Sequence, residues 1–355
     1  MEITRIYLQK KFREYYLKMK PEVRELERRE WAFSPLKTFP DFVMYRHISF
    51  SSEDEFKAYV LNNTPLHSYY SSAYYERPGE ERMEDKGWIK ADLIFDIDAD
   101  HLPVKDTNTF EGMLRALKLA RKEILRLYEM LEKDFGIKDM EIVFSGSRGY
   151  HIHVYDEDYL TLGSAERREI VNYFTLNRIG EHLSTQRLRV CRCSSRLMLL
   201  KIKSGNAGSE KLLESLKRKL NRSTLKALSR CDTKSLRKRE KAFFEECFRE
   251  CVEKLRIHID EPVTSDTHRL IRLPNSLHGK TGFIVKPLEV DELEDFEPYR
   301  DAIAFGSESV KVRCIKHARL KIGEVNLNLR AGEKAKVPEY AAIYLMCRGM
   351  ALYGY

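Results

Sequence analysis

ADLIFDIDADH, residues 91–101, is the stretch on which the reading of this chain turns. Leu93, Ile94 and Phe95 form an apolar run of strand-forming residues, followed by Asp96 and Asp98. Residues i and i+2 of a strand share a face, so the two carboxylates project together, about 7 Å apart. Ile97 points the other way with Leu93 and Phe95. Paired carboxylates at the end of an apolar strand repel each other unless a cation lies between them. Oxygen-only donors suit Mg²⁺ or Mn²⁺, which take a few carboxylates and complete their shell with water and phosphate oxygens. That is the protein half of a two-metal phosphoryl-transfer site. A solvent-facing strand end kept soluble by acidic residues is the alternative reading of the same pattern.

Working outward, 110–135 carries Leu114, Leu117, Ile124, Leu127 and Leu131 near helical spacing, with Asn108 or Thr109 as a cap and Gly136 as a stop. Met140–Phe144 reads as the next strand, so strand, helix and strand form a βαβ unit whose two strands are parallel. SGSRGYHIHVYD, 145–156, follows directly. Gly146 and Gly149 bracket a tight turn whose backbone amides can approach an anion, and Arg148 offers a planar fork of donors to phosphate. In the return strand Tyr150, Ile152 and Val154 take one face, His151 and His153 the other. His153 is as well read as an ordinary surface histidine, whereas His151 reads as functional.

A third informative region begins at Ile257. Asp260 ends a short expected strand in a context like that of the first two aspartates. Residues 264–271 read as a helical turn carrying His268 and Arg269, with Arg272 beyond it, and His278–Gly282 (HGKTG) as a hairpin turn into a strand over 283–285. Toward the N-terminus, residues 1–30 have a rough helical stripe, 41–50 alternates as a strand, and the tyrosines at 69, 70, 74 and 75 read as packing over a sheet. Toward the C-terminus, 325–329 alternates as a strand and 339–351 reads as a closing helix.

Between these β-rich parts, 160–256 changes character. Helical patterns dominate, 204–209 reads as a flexible loop, and 24 Lys plus Arg stand against 11 Asp plus Glu. The whole chain of 355 residues carries only +8, so this block is where its positive charge is concentrated. Such a block is the electrostatic footprint of a nucleic-acid or nucleotide-phosphate binder, or else a solvated helical surface. The domain reading is therefore a core of 1–159 plus 257–355, interrupted by a basic helical insertion at 160–256.

No stretch approaches the ~20 apolar residues of a membrane span. The charged N-terminus lacks a signal-peptide core, so a cytoplasmic protein is expected. The seven cysteines are odd in number and scattered, which does not resemble a secreted disulfide framework; free thiols in a reducing compartment are the expectation.

Taken together, FDIDADH at 95–101, SGSRGYHIHV at 145–154 and Asp260–Gly282 with its RLIRLPNSLHGKTG core resemble the catalytic small subunit of the archaeal and eukaryotic type of DNA primase, in its archaeal wording. The likeness runs from REW and YRHISF near the start to the VPEYAAIYLMCRGMA tail. It implies an α/β (α+β) archaeo-eukaryotic primase fold, with a sheet like that of RNA-recognition motifs and an inserted helical subdomain. By that resemblance Asp96, Asp98 and Asp260 match the metal triad, which also forms the catalytic set. Ser145, Arg148 and His151 match the nucleotide-triphosphate site, Arg272 and His278 its remaining phosphate contacts, and Arg269 a further nucleotide position. Glu30 and Arg46 match more distant ones.

The family usually carries a cysteine-built zinc knuckle just after the DxD strand. Residues 102–190 contain no cysteine, so no structural zinc is expected there. The resemblance further implies Mg²⁺ or Mn²⁺, nucleoside triphosphates, a single-stranded DNA template, and a heterodimer with a large iron–sulfur subunit. The activity implied is template-directed synthesis of short primers. Two other readings use the same features: a primase-like repair or gap-filling polymerase that extends existing primers, and a non-catalytic nucleic-acid-binding module. The last has no need of three carboxylates in a basic protein.

Overall fold

The protein, described here from a computed structural model over residues 1–177, 185–206 and 210–354, is a mixed α/β chain. It divides into two compact units, one formed by Met1–Arg167 with Ile259–Tyr355, the other by Arg168–His258.

The first unit is built around a four-stranded sheet in the order 286–288, 140–144, 149–154, 93–98. Leu93–Asp98 and Met140–Phe144 both pair antiparallel with Gly149–Val154, which lies between them. The two strands of the expected βαβ unit are therefore parallel but not adjacent. The hairpin after the second strand inserts itself into the gap. The crossover helix is Phe110–Phe135. Its start is fixed by Thr109, whose Oγ1 accepts from the Gly112 N–H at 3.0 Å, a cap contributing about 1 kcal/mol. Its end is fixed by Gly136 at φ +74, a left-handed conformation that glycine adopts without a Cβ penalty. Ala116, Leu117, Ala120, Ile124, Leu127 and Leu131 are buried on one stripe, against the central strands. Burying side chains of this size contributes roughly 1.5–3 kcal/mol for each leucine or isoleucine.

A second antiparallel sheet runs in the order 45–48, 31–35, 65–71, 270–272. Trp31, Phe33, Phe50 and Phe56 pack its core, and Tyr70, Tyr74 and Tyr75 are buried, as the packing reading of the tyrosines expects. The strand expected over 41–50 is confined to Tyr45–Ile48. The expected helical turn at 264–271 is instead a short helix, Glu261–Ser265, followed by the edge strand Leu270–Arg272. The strand expected at 283–285 forms at Lys286–Leu288. Local pattern did not separate these because both regions are short, rich in charge, and shaped by pairing with distant strands.

C-terminal strands 309–314, 334–338 and 351–353 form a small sheet, and the expected strand over 325–329 pairs in a hairpin with Ala318–Ile322. The apolar helix Glu339–Cys347 is buried almost throughout.

The second unit is helical: Ser164–Thr175 leads into it, followed by Thr185–Lys203, Glu210–Lys219, Arg222–Leu228 and Lys238–Leu255. Its core gathers Met198, Ile202, Leu216, Leu228, Phe243 and Phe244. The thiol expectation is corrected here. Cys191 pairs with Cys231 and Cys193 with Cys251, leaving Cys247, Cys314 and Cys347 as buried free thiols. Neighbours 40 and 58 residues apart in sequence are brought together by helix packing, which spacing alone does not reveal. Part of the loop expected at 204–209 lies outside the described residues. No helix among the described residues is long and apolar enough to cross a membrane.

Candidate active site

The carboxylate strand is held from behind before any site chemistry begins. Asp92, fully buried, ion-pairs with the equally buried Arg29 at 2.8 Å and accepts from the Tyr74 hydroxyl at 2.8 Å. Arg29 also donates to the Ser71 and Ser72 carbonyls. Arg167 donates to the Ala91 and Asp92 carbonyls at 2.7 and 2.9 Å. Removing one partner of such a buried pair costs on the order of 3–5 kcal/mol, because the other charge is left without compensation. This lattice fixes where Leu93–Asp98 enters the sheet. Sequence reading gave no role to Arg29 or Asp92, although they fall within the REW and ADLIFDIDADH stretches, and it passed over Arg167.

Burial along that strand alternates as expected at its end: Phe95 and Ile97 are buried, Asp96 and Asp98 half-buried on the opposite face. Register places Asp96 opposite His151 and Asp98 opposite Gly149. Asp260 arrives differently from expectation. It is the residue preceding the Glu261–Ser265 turn, not a strand end, and its backbone N–H donates to the Asp96 carbonyl at 2.9 Å. The consequence is electrostatic. The Asp96 carboxyl is pushed up to about 7, first by burial, then by the negative charges of Asp98 and Asp260, against the pull of Arg269 and Arg272.

These groups face a cavity of about 290 Å³ lined by Asp96, Asp98, Ser145, Arg148, His151, Arg269, Arg272 and His278, among others. Ser145, Arg148, His151, Arg269, Arg272 and His278 are all on that wall. Asp260 adjoins it through Asp96. Two further lining residues, Lys280 and Arg348, were not singled out from sequence, and Tyr69, expected to pack over a sheet with its neighbours, stands on the cavity wall instead. Lys280 sits inside the HGKTG turn; Arg348 had no local signal.

Both sheets contribute to the lining. From the first come the aspartates, Ser145, Arg148 and His151. From the second come Arg272, on its edge strand, and Tyr69, on the neighbouring strand, which are register partners, with the guanidinium 5.0 Å from the Tyr69 ring. His67 locks that edge: its Nδ1 accepts from Arg272 Nη1 at 2.9 Å and from the Gly279 N–H at 3.3 Å. A protonated imidazole has no acceptor to offer. Accordingly burial, with the charges of Arg272 and Lys280, pushes His67 down to about 2. His278 is held neutral in the same way, first by burial and then by Arg272 and His67. Its Nδ1 accepts the Lys280 N–H at 3.3 Å, which leaves an Nε2–H donor.

The turn at 145–149 is tied to this hairpin. Thr281 Oγ1 donates to the Gly146 carbonyl at 2.6 Å, and Ser145 Oγ accepts from the Gly149 N–H at 3.1 Å. Gly146 has φ +81, and a Cβ there would lie 2.6 Å from that of His278, so only glycine lets the 145–149 and 278–282 turns approach. Arg148 is held between Asp98, at 3.7 Å, and Asp100.

Two expected positions fall elsewhere. His153 is fully buried against the Tyr70 hydroxyl, 3.2 Å from Nδ1, and is no surface histidine. Glu30 and Arg46 form an ion pair at 3.0 Å, with Lys86 at 3.5 Å from Glu30, and do not line the cavity.

Among the described residues no three His, Cys, Asp or Glu side chains stand close enough to hold a metal ion as placed. The chemistry of the donor set nevertheless fits a hard divalent cation. Asp96, Asp98 and Asp260 offer oxygen alone, and their repulsion raises Asp96. The buried Nδ1 of His151, 3.6 Å across from Asp96 through its other nitrogen, has no hydrogen-bond partner. A cation would relieve the repulsion, and a phosphate oxygen would satisfy such a nitrogen.

The chain is similar to known proteins over its whole length. The family model described as DNA primase small subunit matches residues 95–290, the span from the carboxylate strand past the HGKTG turn. The DNA primase small subunit PriS of Archaeoglobus fulgidus is 47% identical over 357 residues, covering 99% of each chain. That of Methanococcoides burtonii is 37% identical, again covering 99% of each. A solved polymerase domain from Mycobacterium tuberculosis Ligase D in complex with DNA aligns over 81% of this chain and 83% of that one, at 14% identity and a TM-score of 0.36, too low to carry an argument. On the family match and the full-length relatives, the chain belongs to the DNA primase small subunit family.

Proposed function

We propose that the protein is the catalytic subunit of a DNA primase, joining nucleotides into short primers on single-stranded DNA. One observation carries the reading: Asp96 and Asp98, with the charge of Asp260 acting on Asp96 from beside them, line a cavity whose wall also carries Arg148, Arg269, Arg272 and Lys280, which is the charge pattern of a metal–triphosphate complex.

Asp96, Asp98 and Asp260 would hold the divalent ions, Mg²⁺ or Mn²⁺. Bound there, such ions lower the pKa of an attacking 3′-hydroxyl and neutralise charge on the departing pyrophosphate. The chain's own residues do the positioning. Arg148, Arg272 and Lys280 face the phosphates with charge-assisted hydrogen bonds, each the stronger kind. Neutral His278 adds its Nε2–H, and His151 its unpartnered nitrogen. Arg148 exchanges its contacts with Asp98 and Asp100 for phosphate, which frees the carboxylates as the nucleotide enters. His67 and Tyr69 hold Arg272 in place, so that its donors are aimed before binding.

The basic helical unit supports binding of single-stranded template through its charge, with an affinity that falls steeply with salt. Family membership supports a large-subunit partner in a heterodimer, and a cytoplasmic location. A gap-filling polymerase shares the carboxylate site but requires a primer end.

The test is incorporation of labelled nucleotides on unprimed single-stranded DNA with Mg²⁺ or Mn²⁺, by the chain alone and with its large subunit. An Asp96→Ala/Asp98→Ala variant runs beside it. Short products lost in the variant support the reading. Extension of added primers only favours the gap-filler, and no synthesis under any condition overturns both.

A further inference from the structure

His151 lines the nucleotide cavity, whereas His153, two residues further along the same strand face, lies outside it and is fully buried. Its Nδ1 stands 3.2 Å from the Tyr70 hydroxyl, and its Nε2 has no hydrogen-bond partner among the described residues. Burial, helped by the charge of Arg29, pushes this imidazole down to about 3, so the ring is neutral. A core position that leaves one ring nitrogen unsatisfied is costly, and an apolar side chain of similar shape would avoid the cost. What sets His153 apart is that its polar contact crosses from one sheet to the other.

Tyr70 belongs to the second sheet, on the strand Pro65–Ser71. Its ring packs on Trp31 at 5.9 Å and lies nearly parallel to the His153 ring, 6.4 Å away. The preceding residue, Tyr69, is on the cavity wall and is the register partner of Arg272. The link therefore joins two strands within one or two residues of side chains that line the cavity. On one sheet that side chain is His151, opposite Asp96; on the other it is Tyr69, beside Arg272. Arg29 bridges the same two sheets one strand over. It lies 5.4 Å from the Tyr70 ring, donates to the Ser71 carbonyl, and ion-pairs with Asp92, the residue before the carboxylate strand. Directed contacts of this kind in a core select one arrangement where apolar packing tolerates several.

We propose that Tyr70 and His153 are a positioning pair, whose hydrogen bond sets the spacing between the carboxylates of one sheet and Arg272 of the other, so that one metal–triphosphate complex meets both. The inference rests on the primase reading of the cavity. Neither residue touches substrate: Tyr70 acts through Tyr69 and Arg272, His153 through His151 and Asp96. A displacement of about 1 Å at reacting groups costs on the order of a hundredfold in rate, so a spacing held by one hydrogen bond reads out in turnover.

The experiment compares the full chain, alone and with its large subunit, as wild type, Tyr70→Phe, His153→Leu, His153→Gln and the Tyr70→Phe/His153→Leu double variant. Extension of an annealed primer is measured well below each thermal midpoint, so that loss of folded protein does not enter. Tyr70→Phe keeps the ring and removes only the hydroxyl; it and His153→Leu are each expected to lower kcat about tenfold. The double variant is expected within about twofold of His153→Leu, whereas independent effects would multiply to about a hundredfold. His153→Gln, which retains a hydrogen-bonding group, is expected to recover about a third or more of wild-type kcat. Equilibrium dialysis with ATP gives a readout apart from turnover. Mn²⁺ is expected to tighten ATP binding by wild type, and that gain to shrink about fivefold or more in Tyr70→Phe, with affinity in EDTA unchanged within about twofold.

Variants that unfold more easily yet keep wild-type kcat and the full Mn²⁺-dependent gain overturn the proposal, because they would mark the pair as packing alone. So do losses that multiply in the double variant, or a His153→Gln chain no better than His153→Leu. A wild type that shows the Mn²⁺-dependent gain but joins no nucleotides overturns the primase reading, and the dialysis comparison then decides the positioning pair by itself.

Discussion

Replacing Asp96 with asparagine should stabilise the metal-free protein while abolishing synthesis. The Asp96 carboxyl lies at about 7 in the folded chain against an ordinary value of 3.8, and its side chain is only 18% exposed. About three pKa units correspond to roughly 4 kcal/mol at 1.36 kcal/mol each, an upper figure because Asp98 and Asp260 share the repulsion. The sign follows from proton binding. Between pH ~4 and ~7 the folded protein holds more protons than the unfolded one, so stability present below the unfolded value is lost as pH rises through the folded value. Asparagine, of the same shape and never ionised, removes that loss. Urea unfolding in EDTA should show the variant more stable by about 2–4 kcal/mol at pH 8, and by less than about 2 kcal/mol at pH 5. Saturating Mg²⁺ or Mn²⁺ should then raise the wild type, by about 2.7 kcal/mol at a hundredfold excess over Kd, and leave the variant nearly unchanged. A variant less stable than wild type at pH 8, or a gain independent of pH, would refute the repulsion argument.

The same group makes ion binding pH-dependent. Below pH 7 divalent-ion affinity measured by calorimetry should fall about tenfold per pH unit as one proton is displaced, and should level off above it. His67→Ala should raise the nucleotide KM about tenfold with little change in kcat, since it loosens Arg272 and the Gly279 turn without touching the aspartates; His67→Gln, which keeps an acceptor, should recover part of the loss. Opening the Cys191–Cys231 link, by reductant or by Cys231→Ser, should cost the helical unit roughly 2–4 kcal/mol for a 40-residue separation, seen as a lower midpoint in thermal unfolding followed by helix signal.

Much of the site was legible in the chain because its chemistry is local. Asp96 and Asp98 declare themselves by the period of a strand, and the Gly146–Gly149 turn by residue types that few other uses require. The limits of Phe110–Phe135 followed from a cap, an apolar stripe and a terminal glycine, each acting within a few residues. Asp260 was legible as a residue and not as a geometry, since its place depends on one amide reaching the Asp96 carbonyl at the open edge of the sheet.

The elements with short-range causes were readable along the chain: the carboxylate strand, the crossover helix, the glycine-bearing turns and the charge of the helical block. Tertiary structure alone decided which of these meet. Only pairing set the third strand between the first two, and only that insertion put His151 opposite Asp96. The neutrality of His67 and His278, the proton on Asp96, the Arg29–Asp92 anchor and the two disulfides are all consequences of burial and of neighbours distant along the chain. A residue's charge and solvation depend on what surrounds it in space, and periodicity along one chain carries no record of that.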